Sequence, residues 1–214
     1  MVQVACLWTR RLSPMLLSLL LGACASAPPA QRDHFYRLDP PTDATTGTGA
    51  PLPATLRVSD LAARGFLGGR QIVFRTQAQP LETRRYVQYL WEEPPGQALA
   101  SALVKALHAA NLFRFVTGPG QDARAQYLLS GKIIRFEHLP TAQPPRAALA
   151  FTLLLAQADS RAPILEREYE GREPVSGDTP DAMAQAFNRL AGRLIGKAVD
   201  DLRALRPRLR AAGG

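Results

Sequence analysis

Alternating apolar and polar positions run through the second half of the chain and predict β-strands. Residues 127–139 and 147–157 carry the strongest pattern. In the second segment the side chains of Leu149, Phe151, Leu153 and Leu155 fall on one face, because successive strand residues point to opposite sides of a sheet. Weaker β-branched and aromatic enrichment predicts six further strands at residues 34–38, 55–59, 71–76, 84–90, 113–116 and 164–170. The last of these is charged, so we expect it at an edge or with one face in water.

Two segments show helical periodicity instead. The first follows Glu93-Pro94-Pro95, and its apolar positions are Leu99, Leu103, Ala106, Leu107 and Ala110. The second opens with Asp178 or Thr179 as the cap and Pro180 in the first turn. Its apolar stripe consists of Met183, Phe187, Leu190, Leu194 and Ala198. Two main helices packed on an antiparallel or mixed sheet make a two-layer α+β domain.

The first 33 residues follow neither pattern and predict export. Arg10 and Arg11 precede an apolar run over residues 15–21 that ends in small residues, which is typical of a signal peptide. The run is shorter than the roughly 20 apolar residues that span a bilayer, so a retained transmembrane helix is the weaker alternative. We assign residues 1–23 to the signal peptide, 24–33 to an anchor with a proline-rich flexible tether, and 34–210 to a single domain.

The end of the signal peptide, Leu21-Gly22-Ala23-Cys24, resembles the lipobox of bacterial lipoproteins. We therefore predict that Cys24 is the mature N-terminus and carries acyl chains. Ordinary secretory cleavage after the small residues is the competing interpretation. Ala25 in place of Asp favours the outer membrane, with the domain in the periplasm. Cys6 leaves with the signal peptide, so the mature domain has no thiol and must fold without disulfides.

The net charge and the sequence motifs limit the classes of function that we expect. The formal net charge of +8 falls to +6 when Arg10 and Arg11 are removed, and a basic domain suits anionic lipid or acidic glycans. Nucleic acid is a poor partner outside the cytoplasm. His34, His108 and His138 lack metal-ligand spacing, and no nucleotide-binding or hydrolase motif is present. We therefore expect no catalysis, no cofactor and no bound metal.

Several short segments, in this order and spacing, carry a resemblance to a known family. They are Phe-Tyr-Arg-Leu-Asp-Pro at 35–40, Ala-Arg-Gly-Phe-Leu-Gly-Gly-Arg-Gln-Ile-Val-Phe-Arg at 63–75, Tyr-Leu-Trp-Glu-Glu-Pro-Pro at 89–95, Leu-Leu-Ser-Gly-Lys at 128–132, Arg-Phe-Glu at 135–137 and Ala-Phe-Asn at 186–188. The chain resembles the ABC-type transport auxiliary lipoproteins, which are similar to paraquat-inducible protein C. The resemblance implies a non-catalytic accessory subunit that works with an inner-membrane ABC transporter and a periplasmic MCE-domain protein in lipid transport.

Six residues are candidates for binding such a partner: Arg64, Phe66, Leu67, Arg70, Trp91 and Glu92. Phe66 and Leu67 form an apolar tip between arginines in a glycine-rich turn, and aromatic and arginine side chains are the usual interface anchors. In the alternative interpretation, the two aromatic residues close the core while Arg64 and Glu92 form an internal ion pair.

The sequence is also compatible with two other functions. The first is a peptidoglycan-associated lipoprotein that activates an envelope synthase. The second is a periplasmic lipid carrier, which needs the apolar face through Leu149 to Leu155 to be left uncovered by both helices. A homo-oligomer is compatible with each function.

Overall fold

Eight strands form one mixed sheet in the computed structural model, which describes residues 32–41, 50–121 and 123–212. The strands are β1 (His34–Tyr36), β2 (Leu52–Val58), β3 (Gln71–Phe74), β4 (Arg84–Trp91), β5 (Phe113–Thr117), β6 (Tyr127–Leu139), β7 (Arg146–Gln157) and β8 (Pro163–Pro174). The helices are α1 (Pro95–Ala109), α2 (Pro180–Ala204) and the short α3 (Arg206–Ala212). The interpretations of residues 1–31, including the signal peptide and Cys24, lie outside the described residues.

The long central strand β6 divides the sheet. One edge of β6 pairs antiparallel with β7 along its length, and β7 pairs in the same sense with β8. The other edge is shared, because β2 pairs parallel with the beginning of β6 and β3 pairs parallel with its end at His138. β5 lies outside β2, whereas β4 and then β1 lie outside β3. The chain between β2 and β3 therefore crosses the gap on this edge of β6.

Both main helices pack on the same face of the sheet. α2 lies on β7 and β8, α1 lies on β2 and β5, and the two helices contact each other. The stripe from Leu149 to Leu155 is buried under this layer. The predicted two-layer α+β fold with a mixed sheet is confirmed. Because the helices cover this stripe, it does not form the open apolar face that a lipid carrier would need.

Thr179 is the residue that caps α2. Its Oγ1 accepts a hydrogen bond from the Ala182 N–H at 3.2 Å, and Pro180 occupies the first turn, where no donor is needed. The predicted stripe of α2 is buried, and Phe187 meets Trp91 and Phe136 in an aromatic cluster with ring centroids 4.7–5.3 Å apart. Helix α2 is therefore the main element that closes the core.

Four predicted strand limits differ from the structure by two or more residues: β2 begins at Leu52 and not at residue 55, β3 ends at Phe74 and not at residue 76, and β1 and β8 also differ. The contacts give a tertiary cause for the differences in β1 and β8. β1 ends at Tyr36 and not at residue 38, since Asn188 of α2 binds the Arg37 carbonyl and draws the chain over the helix. β8 continues past residue 170 to Pro174. Gly171 does not break the strand, because it stays paired with Leu149 of β7. The missing side chain lets α2 approach, since a Cβ there would lie 3.0 Å from Leu190. Among the described residues, no helix is long and apolar enough to cross a membrane.

Candidate docking surface

A single 3₁₀ turn over Gly65–Gly68 projects from the chain that crosses the gap between β2 and β3. Gly65 has a φ of +57°, which a residue with a side chain rarely adopts, so the turn requires glycine at this position. On one side, backbone hydrogen bonds join Ala62 to Gly131 and Ile133 of β6. On the other side, β3 begins at Gln71. The sheet therefore holds the turn at both of its ends.

Phe66 stands at the tip of this turn beside a groove of about 510 Å³, which we call the turn groove. Its lining residues are Arg64, Gly65, Phe66, Leu67, Val73, Arg75, Thr83, Ile134, Arg135 and Glu137. Phe66 is 43% exposed and Ile134 is 44% exposed, whereas Leu67 packs partly against the core. The Arg85 guanidinium lies over the Phe66 ring, 4.4 Å from its centroid, and holds the ring by a cation–π contact.

Charge in the turn groove is arranged around one buried carboxylate. Glu137 is 6% exposed, and its carboxylate accepts a hydrogen bond from Arg75 Nε at 3.1 Å. Arg135 Nε lies 3.4 Å from the other carboxylate oxygen. Within the described part of the chain, no carboxylate forms an ion pair with Arg64 or Arg85. The groove therefore combines an apolar floor with a positively charged rim.

Sequence reasoning missed the part of the turn groove that comes from β3, β4 and β6. Arg135 and Glu137 alternate with the buried Phe136, so they point away from the helices and into the groove. A bulge between Ile133 and Arg135 places Ile134 in the groove as well. Charged residues at alternate positions of a strong strand could have indicated this face. The bulge leaves no comparable signal in the sequence.

The other three predicted partner-binding residues lie outside the lining of the turn groove. Trp91 is 1% exposed within the aromatic cluster, so it offers a partner no accessible surface and we exclude it from the docking surface. Arg70 donates from Nε to the Trp91 carbonyl at 3.0 Å and lies over the Phe35 ring. The alternative pair between Arg64 and Glu92 does not form. Glu92 instead binds Arg37 at 2.7 Å, and that hydrogen bond lowers the pKa of Glu92.

A second cavity, of about 310 Å³, lies where β4 and β6 approach the start of α2. Tyr86 and Tyr89 line it, and the Tyr86 hydroxyl is hydrogen-bonded to His138 Nδ1 at 2.8 Å. Burial lowers the pKa of His138 from its usual 6.5 to about 4 and raises the pKa of Tyr86 to about 12. The pair is therefore neutral at neutral pH, and its structural role is to join β4 to β6.

We predict that His138 makes the domain less stable as the pH falls from about 6.5 to about 4. In this window the unfolded chain takes up a proton on His138 that the folded chain does not, so the stability present above pH 6.5 is progressively lost. The slope is at most about 1.4 kcal/mol per pH unit, reduced by partial solvent screening. Urea unfolding of the wild type and His138→Gln at pH 7 and pH 5 measures the difference. The exposed His108→Gln is the control, and an equal pH dependence in all three proteins would contradict the prediction.

Comparison with known proteins identifies the family. A family model described as ABC-type transport auxiliary lipoprotein component matches residues 36–198. A comparison with curated proteins gives no match. Among solved structures, a protein from Xanthomonas campestris is 21% identical with a TM-score of 0.68, covering 78% of this chain and 92% of its own. A second, uncharacterized protein is 18% identical with a TM-score of 0.60, covering 81% and 99%.

The two structural matches are too distant in sequence to show more than a shared fold. The family model, in contrast, extends from β1 to the second half of α2 and so spans most of the sequence. The chain therefore belongs to the ABC-type transport auxiliary lipoprotein component family.

Proposed function

We propose that this protein is a non-catalytic accessory subunit of a trans-envelope ABC lipid-transport system. In this proposal, acyl chains on Cys24 hold it at the outer membrane, and the domain docks on a periplasmic MCE-domain protein through the turn groove. The observation that carries the docking proposal is the half-exposed Phe66 on a turn fixed by the sheet. Membership of a transport auxiliary family supports the wider role.

Phe66 has the properties of an interface anchor. Full burial of a phenylalanine side chain contributes roughly 1.5–3 kcal/mol, and much of the Phe66 ring still faces solvent. Arg85 and the anchored turn restrict the ring before a partner arrives, so little conformational entropy is lost on binding. Arg64 and Ile134 supply cationic and apolar contact surface beside it. Such a preorganised aromatic residue, next to arginines, is typical of binding hot spots.

We predict that Phe66→Ala weakens association with the MCE-domain protein by at least about tenfold, which is about 1.4 kcal/mol. The change should leave the melting transition nearly unchanged. Leu67 is left intact because it packs partly against the core. Co-purification of the acylated full chain from envelopes, with quantification of the MCE-domain protein by mass spectrometry, measures the effect.

Phe115→Ala provides a matched control for this experiment. Phe115 is 57% exposed on the edge strand β5, so the same substitution is made at a comparable surface position away from the turn groove. We expect this variant to retain wild-type association. A folded Phe66→Ala protein that co-purifies its partner at wild-type yield would reject the docking surface, and so would equal losses in the two variants.

We also predict that Cys24 is the acylated N-terminal residue of the mature protein. Each buried methylene contributes about 0.8 kcal/mol, so two or three acyl chains anchor a protein stably. Mass spectrometry of the N-terminal peptide from membranes should show the modification, and Cys24→Ser should release the protein from the membrane fraction. An unmodified chain beginning at Ala25 or later would disprove the lipid anchor. Ala25→Asp should move the protein to the inner-membrane fraction, and unchanged fractionation would contradict sorting by the residue after Cys24.

A further inference from the structure

We propose that the partner segment that binds the turn groove is acidic, with an apolar residue flanked by carboxylates. This proposal rests on the docking function above, and it names the chemistry of the segment that the groove recognises. The proposal depends on three features of the groove: its net charge, the arginines whose hydrogen-bond donors are still available, and the size of its apolar floor.

The turn groove has an excess of positive charge. Arg64, Arg75 and Arg135 line it, and Arg85 lies over the Phe66 ring at its edge. Among the described residues that line the groove, Glu137 is the one acidic residue. Four cations against one carboxylate leave an excess of three positive charges. A partner that brings carboxylates would neutralise this excess, whereas a basic segment would be repelled.

The four arginines do not contribute equally. Arg75 is already committed, since it donates to the Glu137 carboxylate, to the Pro80 carbonyl at 2.6 Å and to Thr83 Oγ1 at 3.2 Å. Arg135 approaches Glu137 through its Nε, at 3.4 Å. Arg64 and Arg85 have no ion pair within the described ranges. Three guanidinium groups therefore retain donors in the planar arrangement that binds carboxylates in a bidentate manner.

Glu137 contributes by orienting its neighbours. Its carboxylate is buried beneath the groove and accepts from Arg75 on one oxygen while Arg135 approaches the other. Because Glu137 is buried and engaged, a partner does not need to displace it. The guanidinium of Arg135 is held at the groove and its side chain remains 43% exposed, so a ligand in the groove can reach it.

The apolar floor fits side chains better than lipid tails. Phe66 and Ile134 are the floor residues with substantial exposed area, whereas Val73 is buried beneath them. This area accommodates one or two apolar side chains. Ligands that are held mainly by apolar contact are usually enclosed over most of their surface, and the turn groove lies open on the sheet face. An anionic lipid, which the same positive charge would attract, is the alternative that the experiment must separate from an acidic segment.

The test uses the acylated full chain in micelles of a neutral detergent and two labelled synthetic peptides. In one peptide each leucine is flanked by glutamates, and in the other the glutamates are replaced by glutamines. We expect the acidic peptide to bind at least about tenfold more tightly, with an affinity that falls as salt rises and the Debye length shortens. Short-chain, monomeric phosphatidylglycerol added to the same micelles serves as the lipid probe, since vesicles would bind the acyl chains of the protein whatever the groove does.

Arg64→Glu combined with Arg85→Glu should weaken binding of the acidic peptide by at least about tenfold, and the corresponding double glutamine variant should lose less. The matched control is Arg208→Glu with Arg210→Glu, which makes the same change in net charge on α3. Tyr127, at the opposite end of β6 from the groove residues, binds the Leu209 carbonyl and places this control far from the groove. We expect the control to bind the peptide as the wild type does.

Three results would overturn the inference: equal binding of the two peptides, equal loss in the groove and control variants, or binding of the short-chain phosphatidylglycerol and not the peptide through Arg64 and Arg85. The proposed function is tested separately. If Phe66→Ala reduces co-purification of the MCE-domain protein but charge reversal does not, the docking surface stands and the acidic partner is rejected. If the wild type binds the acidic peptide but recovers no MCE-domain protein, the chemistry of the groove stands and the proposed partner is rejected.

Discussion

Replacing Trp91 with alanine is expected to lower the free energy of unfolding by about 3–5 kcal/mol, as truncation of buried aromatic residues does. Trp91 packs edge-on against Phe187 of α2 and at a tilt against Phe136 of β6, with both centroid distances 5.3 Å. The substitution therefore opens a cavity and removes two aromatic pairs, one that joined the sheet to α2 and one that joined β4 to β6. Because domains are stable by only about 5–15 kcal/mol, this loss is a large share of the total.

Denaturant unfolding of the full chain measures this loss, and Phe66→Ala is the comparison. Phe66 is half-exposed on its turn, so its truncation should cost about 1 kcal/mol or less. Trp91 and Phe66, the two aromatic residues that the sequence suggested for partner binding, should therefore behave differently. The change at Trp91 should lower stability, and the change at Phe66 should weaken association. Equal stability losses in the two variants would show that Phe66 is also a core residue.

Gly96→Ala is expected to destabilise the domain by about 1–3 kcal/mol through overpacking. A Cβ at Gly96 would lie 2.2 Å from the Leu61 carbonyl oxygen, and the Gly96 carbonyl accepts a hydrogen bond from the Leu61 N–H at 3.2 Å. The start of α1 therefore touches the segment that leads to the turn groove. An added methyl group must push the two backbones apart, since neither is a flexible side chain.

The matched control for this prediction is Gly196→Ala, within α2. Apart from its own turns of helix, no heavy atom of the described residues would lie within 4 Å of a Cβ at Gly196, so alanine should stabilise the helix by about 0.5–1 kcal/mol through its higher helix propensity. The two glycine substitutions should thus change the free energy of unfolding in opposite directions. A gain at Gly96, or a loss at Gly196 as large as that at Gly96, would contradict the packing described here.

The helices and the strongest strands could be predicted because the patterns that indicate them lie within single continuous segments of the sequence. The stripe from Met183 to Ala198 repeats with the helical period, and Thr179-Pro180 marks its start, so α2 is recognisable from one continuous segment. β7 is recognisable in the same way from its alternation. By contrast, Gly171 and Pro174 look like the end of a strand in sequence, and only contact with β7 and α2 explains why β8 includes them.

The sequence by itself determined the class of the fold, the positions of the main elements and the predicted export signal, because periodicity and motifs act over neighbouring residues. Only the tertiary structure decided which strands share the edge of β6. It also placed Trp91 in the core, and it brought Arg85 and Arg135 to the turn that carries Phe66. These groups come from three separate parts of the chain. Their proximity depends on parallel strand pairing and a bulge, which follow from the packing of the whole domain and not from local preference.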